Sequence, residues 1–386
     1  MKKILWLPSW YPSKIDGFTG DFIQRHARAV ALYLPLTVIY IVKDEKGIHT
    51  NDVLAETNVQ ERLHETIIYY KPFAAGIGFI DKFFSSLKYF SVYKKYIRQY
   101  IAREGKPAFI HVHVPIRAGI PALWCKKKYG IPFIVTEHWC AYNTLNPRNF
   151  FTHSAVFRRL SKKIFESAAM VTTVCESNRK ELHSLFNIKK SVIIHNVADG
   201  RLFYPGHNNS DIPFVFVHVS SLTSQKNVTG ILDALNILKN NFQNWRCVIA
   251  GPPDPALINY AVRCGLQEVI EWTGEIPYEL VALHMRSSHC MVMFSRYENS
   301  PCTIIEALSA GLPVITSNVG GIPEIVNENN GLMVASEDVT ALARAMEQMI
   351  YSYQKYNCGS IAEKAKQLFS YETVGAQIAS LYSEGV

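Results

Sequence analysis

The segment CMVMFSRYENSPCTIIEALSAGLPVITS, residues 290–317, joins one apolar run to a second through a helical stretch. Short apolar runs of this kind are typical of strands buried on both faces, and a connecting helix implies that the strands are parallel. Pro301 fits the first turn of the helix, with Asn299 or Ser300 as its N-cap. Gly311 ends the helix. The segment therefore predicts a β–α–β unit of a doubly wound sheet.

The same alternation continues through the whole chain of 386 residues, which is too long for one ordinary core. We therefore predict an α/β protein with two Rossmann-like doubly wound domains that face each other across a cleft. An Asn-, Gly-, Pro- and Asp-rich stretch at residues 195–213 marks the boundary. The predicted domains are residues 1–200, residues 201–370, and a C-terminal helix at residues 371–386 that packs back on the first domain. The strands predicted in chain order are KILWLP, LTVIYIV, TIIYY, FIHVHV, PFIVTEH, MVTTV, SVIIHN, FVFVHVS, WRCVIAG, VIEWTG, CMVMFS, LPVITS and GLMVA.

The first residues and the cysteines favour a cytoplasmic protein. The opening MKKILWLPSWYP has a basic tip and a short apolar run, but Pro8 interrupts the run and no small-residue cleavage site follows. We predict that this run is a buried strand. Eight cysteines occur without any C-x-x-C pair, which indicates thiols in a reducing compartment. No apolar run approaches the roughly 20 residues that cross a bilayer.

Positive charge is concentrated in the first half of the chain. Residues 1–205 carry 30 Lys and Arg and 15 Asp and Glu, a net charge of +15, whereas residues 206–386 have a net charge of −7. Residues 79–104, FIDKFFSSLKYFSVYKKYIRQYIARE, form a long predicted helix in which aromatic and basic residues alternate. Such a pattern is typical of a helix that contacts an anionic membrane surface. It is also typical of a core helix whose lysines extend to solvent. An ordinary solvated basic surface is a further reading, and we expect no nucleic-acid partner.

The segment at residues 290–317 also contains the candidate ligand-binding groups. The first free N–H groups of its helix, near Cys302 and Thr303, form a site for an anion such as a diphosphate. Glu306 lies one turn further along and is able to accept hydrogen bonds from the vicinal hydroxyls of a ribose. Glu298 precedes the helix, where it would face a reacting sugar. A second glycine turn, NVGGIPEIV, would let the backbone approach a ligand closely.

The block ENSPCTIIEALSAGLPVITSNVGGIPEIV, residues 298–326, resembles the signature of the retaining, GT-B-fold glycosyltransferases of group 1, or family 4. The alternation of strands and helices in two domains extends the resemblance over nearly the whole chain. The resemblance implies that Glu306 binds the nucleotide ribose. It also implies that Glu298, the first glutamate of an E-x7-E pair, contacts the donor sugar near the reacting carbon.

Other family landmarks fall outside this block. In the loop VSSLTSQKN, Lys226 stands at the lysine position for the donor pyrophosphate, whereas Ser221 replaces the usual arginine. Gly20 matches a glycine in the first loop that lets the substrate approach the backbone. His138, in IVTEHWCAY, matches a histidine placed near the donor sugar and the acceptor. We interpret His111 and His113 in FIHVHVP as structural, as lone strand-end histidines usually are.

The resemblance implies a retaining transferase. The expected catalytic residues are His138, Lys226 and Glu298, and the expected donor-binding residues are Gly20, Lys226, Cys302, Thr303 and Glu306. No D-x-D motif occurs, so we expect no metal ion, and no cofactor besides the nucleotide-sugar substrate, most simply a UDP-sugar.

The expected acceptor is a hydroxyl of a cell-surface glycan or of a lipid-linked glycan. The basic first half and the helix at residues 79–104 favour a peripheral position on the inner face of a membrane. A nucleotide-sugar epimerase and a donor-binding protein with impaired catalysis, suggested by Ser221, are the alternatives.

Overall fold

A computed structural model describes residues 2–74, 76–206 and 213–383. The described chain forms two compact units, Met1–Ile194 with Val374–Val386, and His195–Thr373. Residues 207–212 of the predicted boundary and residues 384–386 of the predicted C-terminal helix lie outside the described residues.

The first unit is built on an eight-stranded sheet. Its strands are β1 (Ile4–Pro8), β2 (Leu36–Lys43), β3 (Val53–Gln60), β4 (Leu63–Tyr70), β5 (Phe109–His113), β6 (Phe133–Glu137), β7 (Met170–Thr173) and β8 (Ser191–Ile193). Their order across the sheet is β3-β4-β2-β1-β5-β6-β7-β8, and the neighbouring strands are parallel except for the antiparallel pair β3 and β4. The expected buried strand at the start of the chain is confirmed, since every residue of β1 is buried.

The edge strand β3 is absent from the strands that the sequence predicts. Its sequence VLAETNVQ contains few apolar residues, and most of its side chains are exposed. A strand at an antiparallel edge needs no buried face, so it lacks the apolar run by which the other strands are recognised.

Five helices accompany this sheet within residues 2–194. They are α1 (Asp21–Ala31), α2 (Gly78–Glu104), α3 (Pro115–Tyr129), α4 (Ala155–Ser167) and α5 (Glu176–Leu185). Helix α2 packs against α3, and α3 packs against α4. The second half of α2 is a core helix, because Val92, Tyr93 and Ile97 are buried against the sheet.

The second unit contains a six-stranded parallel sheet. Its strands are β9 (Phe214–Val219), β10 (Trp245–Ala250), β11 (Ile270–Gly274), β12 (Cys290–Met293), β13 (Val314–Ser317) and β14 (Gly331–Val334). Its helices are α6 (Val228–Asn241), α7 (Pro255–Arg263), α8 (Tyr278–Arg286), α9 (Cys302–Ser309), α10 (Val339–Ser352) and α11 (Cys358–Phe369). The strand order β11-β10-β9-β12-β13-β14 is the doubly wound order of a Rossmann fold.

The strand order reverses at one place in this sheet, between β9 and β12. Ligands of doubly wound sheets bind beyond the carboxyl ends of the strands at such a point. The loops that follow β9 and β12 are therefore where the topology places a binding site in the second unit.

The last helix, α12 (Tyr371–Ser383), belongs with the first unit from residue 374 onward. Tyr382 is buried there, and its hydroxyl accepts a hydrogen bond from the Trp6 indole N–H at 2.9 Å. The same hydroxyl lies 2.6 Å from Nδ1 of His111. Gly375 lies so close to α1 that a Cβ would approach the Ala29 carbonyl oxygen to 2.2 Å. Helix α12 therefore completes the core of the first unit.

Candidate functional site

Lys226 and Glu298 meet at the reversal point of the second sheet. Lys226 ends a short 3-10 turn, Ser224–Lys226, in the loop after β9, and Glu298 lies in the loop after β12. The Lys226 ammonium is 2.5 Å from Oε1 of Glu298. The two side chains are only 16% and 6% exposed, and buried charges of this kind persist when they are paired. The fold thus places one cation and one carboxylate together where the topology predicts a ligand.

The position of Glu298 is fixed by the second glycine turn. Gly320 has a φ of 56°, and a Cβ there would come within 1.7 Å of the Glu298 carbonyl oxygen. The Gly321 amide donates a hydrogen bond to the Asn299 carbonyl oxygen at 3.0 Å. The sequence predicts that this turn lets a ligand approach the backbone closely. In the structure the close approach is made by the backbone of Glu298.

The predicted N-cap of α9 is wrong. Pro301 itself is the N-cap residue, with an extended ψ of 123°, and its side chain makes no capping hydrogen bond. Asn299 and Ser300 precede the cap and accept hydrogen bonds through their carbonyl oxygens, from Gly321 and Asn196 respectively. The N-terminal turn of α9 contains the half-buried Cys302 and Thr303.

Glu306 lies one turn into α9 and is 2% exposed. The Tyr278 hydroxyl, from the first residue of α8, donates to its Oε1 at 2.7 Å. Nothing in the sequence around Tyr278 indicated this partner. Lys226, Glu298, Cys302, Thr303 and Glu306 all belong to the second unit.

Gly20 and His138 lie in the first unit. Gly20 is the N-cap of α1 with a φ of 75°, and a Cβ there would come within 2.4 Å of the Trp10 carbonyl carbon. The tight packing of α1 against the loop after β1 therefore excludes a larger residue at position 20. The structure thus assigns Gly20 a role in the backbone of this loop.

His138 directly follows β6 and is surrounded by other rings. Its Nε2 is 3.2 Å from Nδ1 of His113, and the two rings stack with centroids 5.5 Å apart. The rings of His26 and Phe22 lie 5.5 and 4.9 Å from it. His113 was interpreted as structural, yet it directly contacts the predicted catalytic histidine. The contact between His113 and His138 follows from the strand register, because β5 and β6 are parallel neighbours and their carboxyl ends lie side by side.

His111 is held on both sides. Its Nδ1 faces the Tyr382 hydroxyl, and its Nε2 lies 2.6 Å from Oγ1 of Thr136. Burial lowers the pKa of His111 to about 3, so the ring is neutral at ordinary pH. These contacts agree with a structural role.

Glu137 anchors the loop that carries His138. Its Oε1 accepts the backbone N–H groups of His138 and Trp139, each at 2.8 Å. Complete burial raises the pKa of Glu137 to about 7, although the two N–H groups oppose the shift.

We expect Glu137→Gln to change how stability depends on pH. Between about pH 4.5 and 7 the unfolded chain releases the Glu137 proton while the folded protein keeps it, so wild-type stability falls as pH rises through this window. Glutamine keeps the acceptor and carries no charge. The variant should gain stability over wild type as pH rises, by on the order of 3 kcal/mol at pH 7. Melting temperatures from pH 4 to 8 test this, with exposed Glu61→Gln as control; parallel curves would contradict it.

Two family models match this chain. Residues 204–367 match the model described as glycosyl transferases group 1. Residues 49–200 match the model described as glycosyltransferase family 4. The chain belongs to the group 1, family 4 glycosyltransferases.

Known glycosyltransferases resemble this group 1 chain over two thirds or more of its length. TuaC of Bacillus subtilis, a glycosyltransferase provisionally named for teichuronic acid biosynthesis, is 24% identical over 97% of this chain and 94% of its own. The Escherichia coli UDP-Gal:α-D-GlcNAc-diphosphoundecaprenol α-1,3-galactosyltransferase is 26% identical over 67% of this chain and 71% of its own.

Solved structures share the GT-B fold of this glycosyltransferase. Sucrose-phosphate synthase from Thermosynechococcus elongatus superposes with a TM-score of 0.79 at 18% identity, over 100% of this chain and 99% of that one. Anabaena HepE in complex with UDP-glucose superposes with a TM-score of 0.72 at 16% identity, over all of both chains. The predicted fold class is confirmed.

Proposed function

We propose that this glycosyltransferase moves a sugar from a nucleotide sugar to a hydroxyl of a cell-surface or lipid-linked glycan, with retention of anomeric configuration. The paired Lys226 and Glu298 at the reversal point of the second sheet carry the proposal. In a nucleotide sugar, the anionic diphosphate is bonded directly to a neutral sugar. A cation would bind the diphosphate, and a carboxylate beside it would accept hydrogen bonds from the sugar hydroxyls.

In the proposed reaction the bond from the anomeric carbon to the diphosphate oxygen breaks, and a bond to the acceptor oxygen forms on the same face. The Lys226 ammonium and the first-turn N–H groups of α9, near Thr303, stabilise the charge of the departing diphosphate. The diphosphate oxygen takes the proton of the acceptor hydroxyl. Glu298 orients the donor sugar, and Glu306 accepts hydrogen bonds from the ribose.

The first unit contributes Gly20 and His138 to this proposal. Gly20 allows the loop that precedes α1 to adopt the tight backbone of a donor-binding loop. His138 binds the transferred sugar or the acceptor. The reaction uses Lys226 where other transferases use a metal ion, and it needs no cofactor.

We further propose that the donor is a UDP-sugar. HepE was solved with UDP-glucose, and the galactosyltransferase from Escherichia coli is named for UDP-Gal. A thermal-shift screen of UDP-, GDP- and ADP-sugars tests this, because a bound donor stabilises the folded state. The donor that binds is then incubated with and without a lipid-linked acceptor, and the anomeric configuration of the product is read by NMR.

The outcomes separate the alternatives. Product that forms only with acceptor supports transfer. Conversion of the free donor to an epimer identifies an epimerase, and binding without turnover or hydrolysis identifies an impaired donor-binding protein. Stabilisation by GDP- or ADP-sugars alone overturns the UDP assignment.

An anionic membrane is the surface that we propose for the first unit. Phe83, Phe84 and Leu87 in the first half of α2 are 59%, 45% and 50% exposed. The adjacent helices α2, α3 and α4 carry 14 Lys and Arg against three Asp and Glu. Exposed aromatic groups within a basic surface suit the interface of anionic lipids. Among the described residues no helix is both long and apolar enough to cross a membrane.

We expect the protein to float with vesicles that contain phosphatidylglycerol and to remain behind with phosphatidylcholine alone. Added salt should weaken the binding, since it screens surface charge. The double substitution Phe83→Ser and Phe84→Ser should reduce binding without unfolding the helix, because α2 is anchored by its buried second half. Exposed Leu368→Ser in α11 is the matched control. Equal flotation of the double variant and wild type would contradict the proposed surface.

A further inference from the structure

We propose that Arg296 is a positioning residue that holds the Lys226 turn in the geometry needed to meet the donor diphosphate. The inference rests on the proposed function of Lys226. It concerns only the second unit, where Arg296 follows β12 and precedes Glu298 by two residues.

Arg296 contacts the residues on both sides of Lys226. Its backbone N–H donates to the Gln225 carbonyl oxygen at 2.8 Å. Its Nη1 donates to the Ser224 carbonyl oxygen, and its Nη2 donates to Oδ1 of Asn227 at 2.8 Å. These hydrogen bonds therefore hold the turn on both sides of Lys226.

A return contact strengthens this connection. The Gln225 side-chain amide donates to the Tyr297 carbonyl oxygen at 2.8 Å. Together with the Lys226–Glu298 pair, the segment 296–298 thus binds every residue of the segment 224–227. The ammonium and the carboxylate of the site are held in register by neutral and charge-assisted hydrogen bonds that do not depend on the ion pair itself.

Asn227 shows that this connection is made at the expense of a helix cap. Asn227 is the N-cap of α6, a position where asparagine usually accepts a hydrogen bond from the first helical turn. Its side chain makes no such capping bond among the described residues, and its Oδ1 instead accepts from Arg296. The side-chain oxygen that would ordinarily stabilise α6 serves the turn that carries Lys226.

The contacts require a guanidinium group. Its planar fork directs separate N–H groups to Ser224 and Asn227 while Nε donates to Glu337 at 2.6 Å. A lysine has one nitrogen and cannot reach these acceptors together. Glu337 is 62% exposed, so this outer ion pair contributes little compared with the contacts to the turn.

Ser221 makes the position of Lys226 more important. The exposed Ser221, in the loop after β9, supplies a hydroxyl where the resemblance implies a second cation. Stabilisation of the diphosphate charge then depends more heavily on Lys226. A displacement of the Lys226 ammonium therefore weakens diphosphate binding more. We therefore expect discrimination between a nucleoside diphosphate and a monophosphate to depend on Arg296.

Affinities for UDP and UMP, measured by calorimetry on the full chain, test this inference. Arg296→Met should weaken UDP about tenfold, as for the loss of one charge-assisted hydrogen bond, and should leave UMP nearly unchanged. Arg296→Lys should fall between this variant and wild type. Exposed Arg344→Met in α10 is the matched control and should bind both nucleotides as wild type does.

The melting temperature of the free protein distinguishes positioning from general stability. An equal loss of UDP and UMP affinity together with a lower melting temperature would show a merely structural role and overturn the inference. Wild-type ratios of UDP to UMP affinity in both Arg296 variants would also overturn it. Failure of the wild-type protein to bind UDP would instead defeat the proposed UDP donor, and this inference with it.

Discussion

Replacement of Glu306 by alanine is expected to remove most of the rise in melting temperature that the donor produces. The carboxylate is buried in α9 and would accept hydrogen bonds from both ribose hydroxyls, so its loss should weaken donor binding about 100-fold. At a donor concentration of about 100 times Kd, binding stabilises wild type by roughly 2.7 kcal/mol, and a 100-fold weaker complex keeps about 0.4 kcal/mol.

A second substitution separates the ribose contact from the local packing. Glu306→Ala also leaves the Tyr278 hydroxyl without its acceptor and lowers the stability of the free protein. Glu306→Gln keeps an acceptor for Tyr278, and we expect it to preserve the free melting temperature while still losing most of the donor response. Exposed Glu363→Ala in α11 is the control. A full donor response in Glu306→Gln and Glu306→Ala would remove Glu306 from the donor site.

Lys226→Met is expected to reduce kcat by about 100- to 1,000-fold, the range found when one group that stabilises developing negative charge is removed. Exposed Lys364→Met in α11 should leave kcat unchanged. Lys226→Met also strands the buried Glu298 carboxylate without its partner, and this alone destabilises the folded protein.

The double variant Lys226→Met with Glu298→Gln resolves these two effects. Because the glutamine is neutral, we expect the double variant to recover much of the melting temperature that Lys226→Met loses. Its kcat should stay as low as in the worse single variant, since residues that act together are not additive. Recovery of kcat along with the melting temperature would mean that Lys226 and Glu298 serve only the fold.

The sequence predicted the parallel strands, and it placed Glu298, Thr303 and Glu306 on one loop and the helix that follows it, because both depend on local patterns. Apolar runs mark strands that are buried on both faces, and the motif around Glu306 lies within one β–α–β unit. Local patterns do not predict that Lys226 lies beside Glu298, since this contact depends on β9 and β12 being neighbours in the sheet. The resemblance to a family supplied what no local pattern contains.

Other features depend on tertiary contacts that the sequence does not display. The N-cap of α9 falls at Pro301 because the backbone of Asn299 is bonded to a distant glycine turn. His113 approaches His138 through strand register, and Arg296 reaches the Lys226 turn across 69 to 72 residues of chain. Such pairings join segments far apart in sequence, so propensity and spacing do not reveal them.

The place of Tyr382 in the first core has a consequence for biosynthesis. The ribosome makes residues 195–373 after the sheet of the first unit and before the helix segment that carries Tyr382. At typical synthesis rates of about 5 to 20 residues per second, the nascent first unit waits roughly 10 to 40 seconds for its last piece. During that interval Trp6 and His111 lack their shared hydroxyl, and the second unit has time to fold first. The part of the protein translated earliest is thus the part finished last.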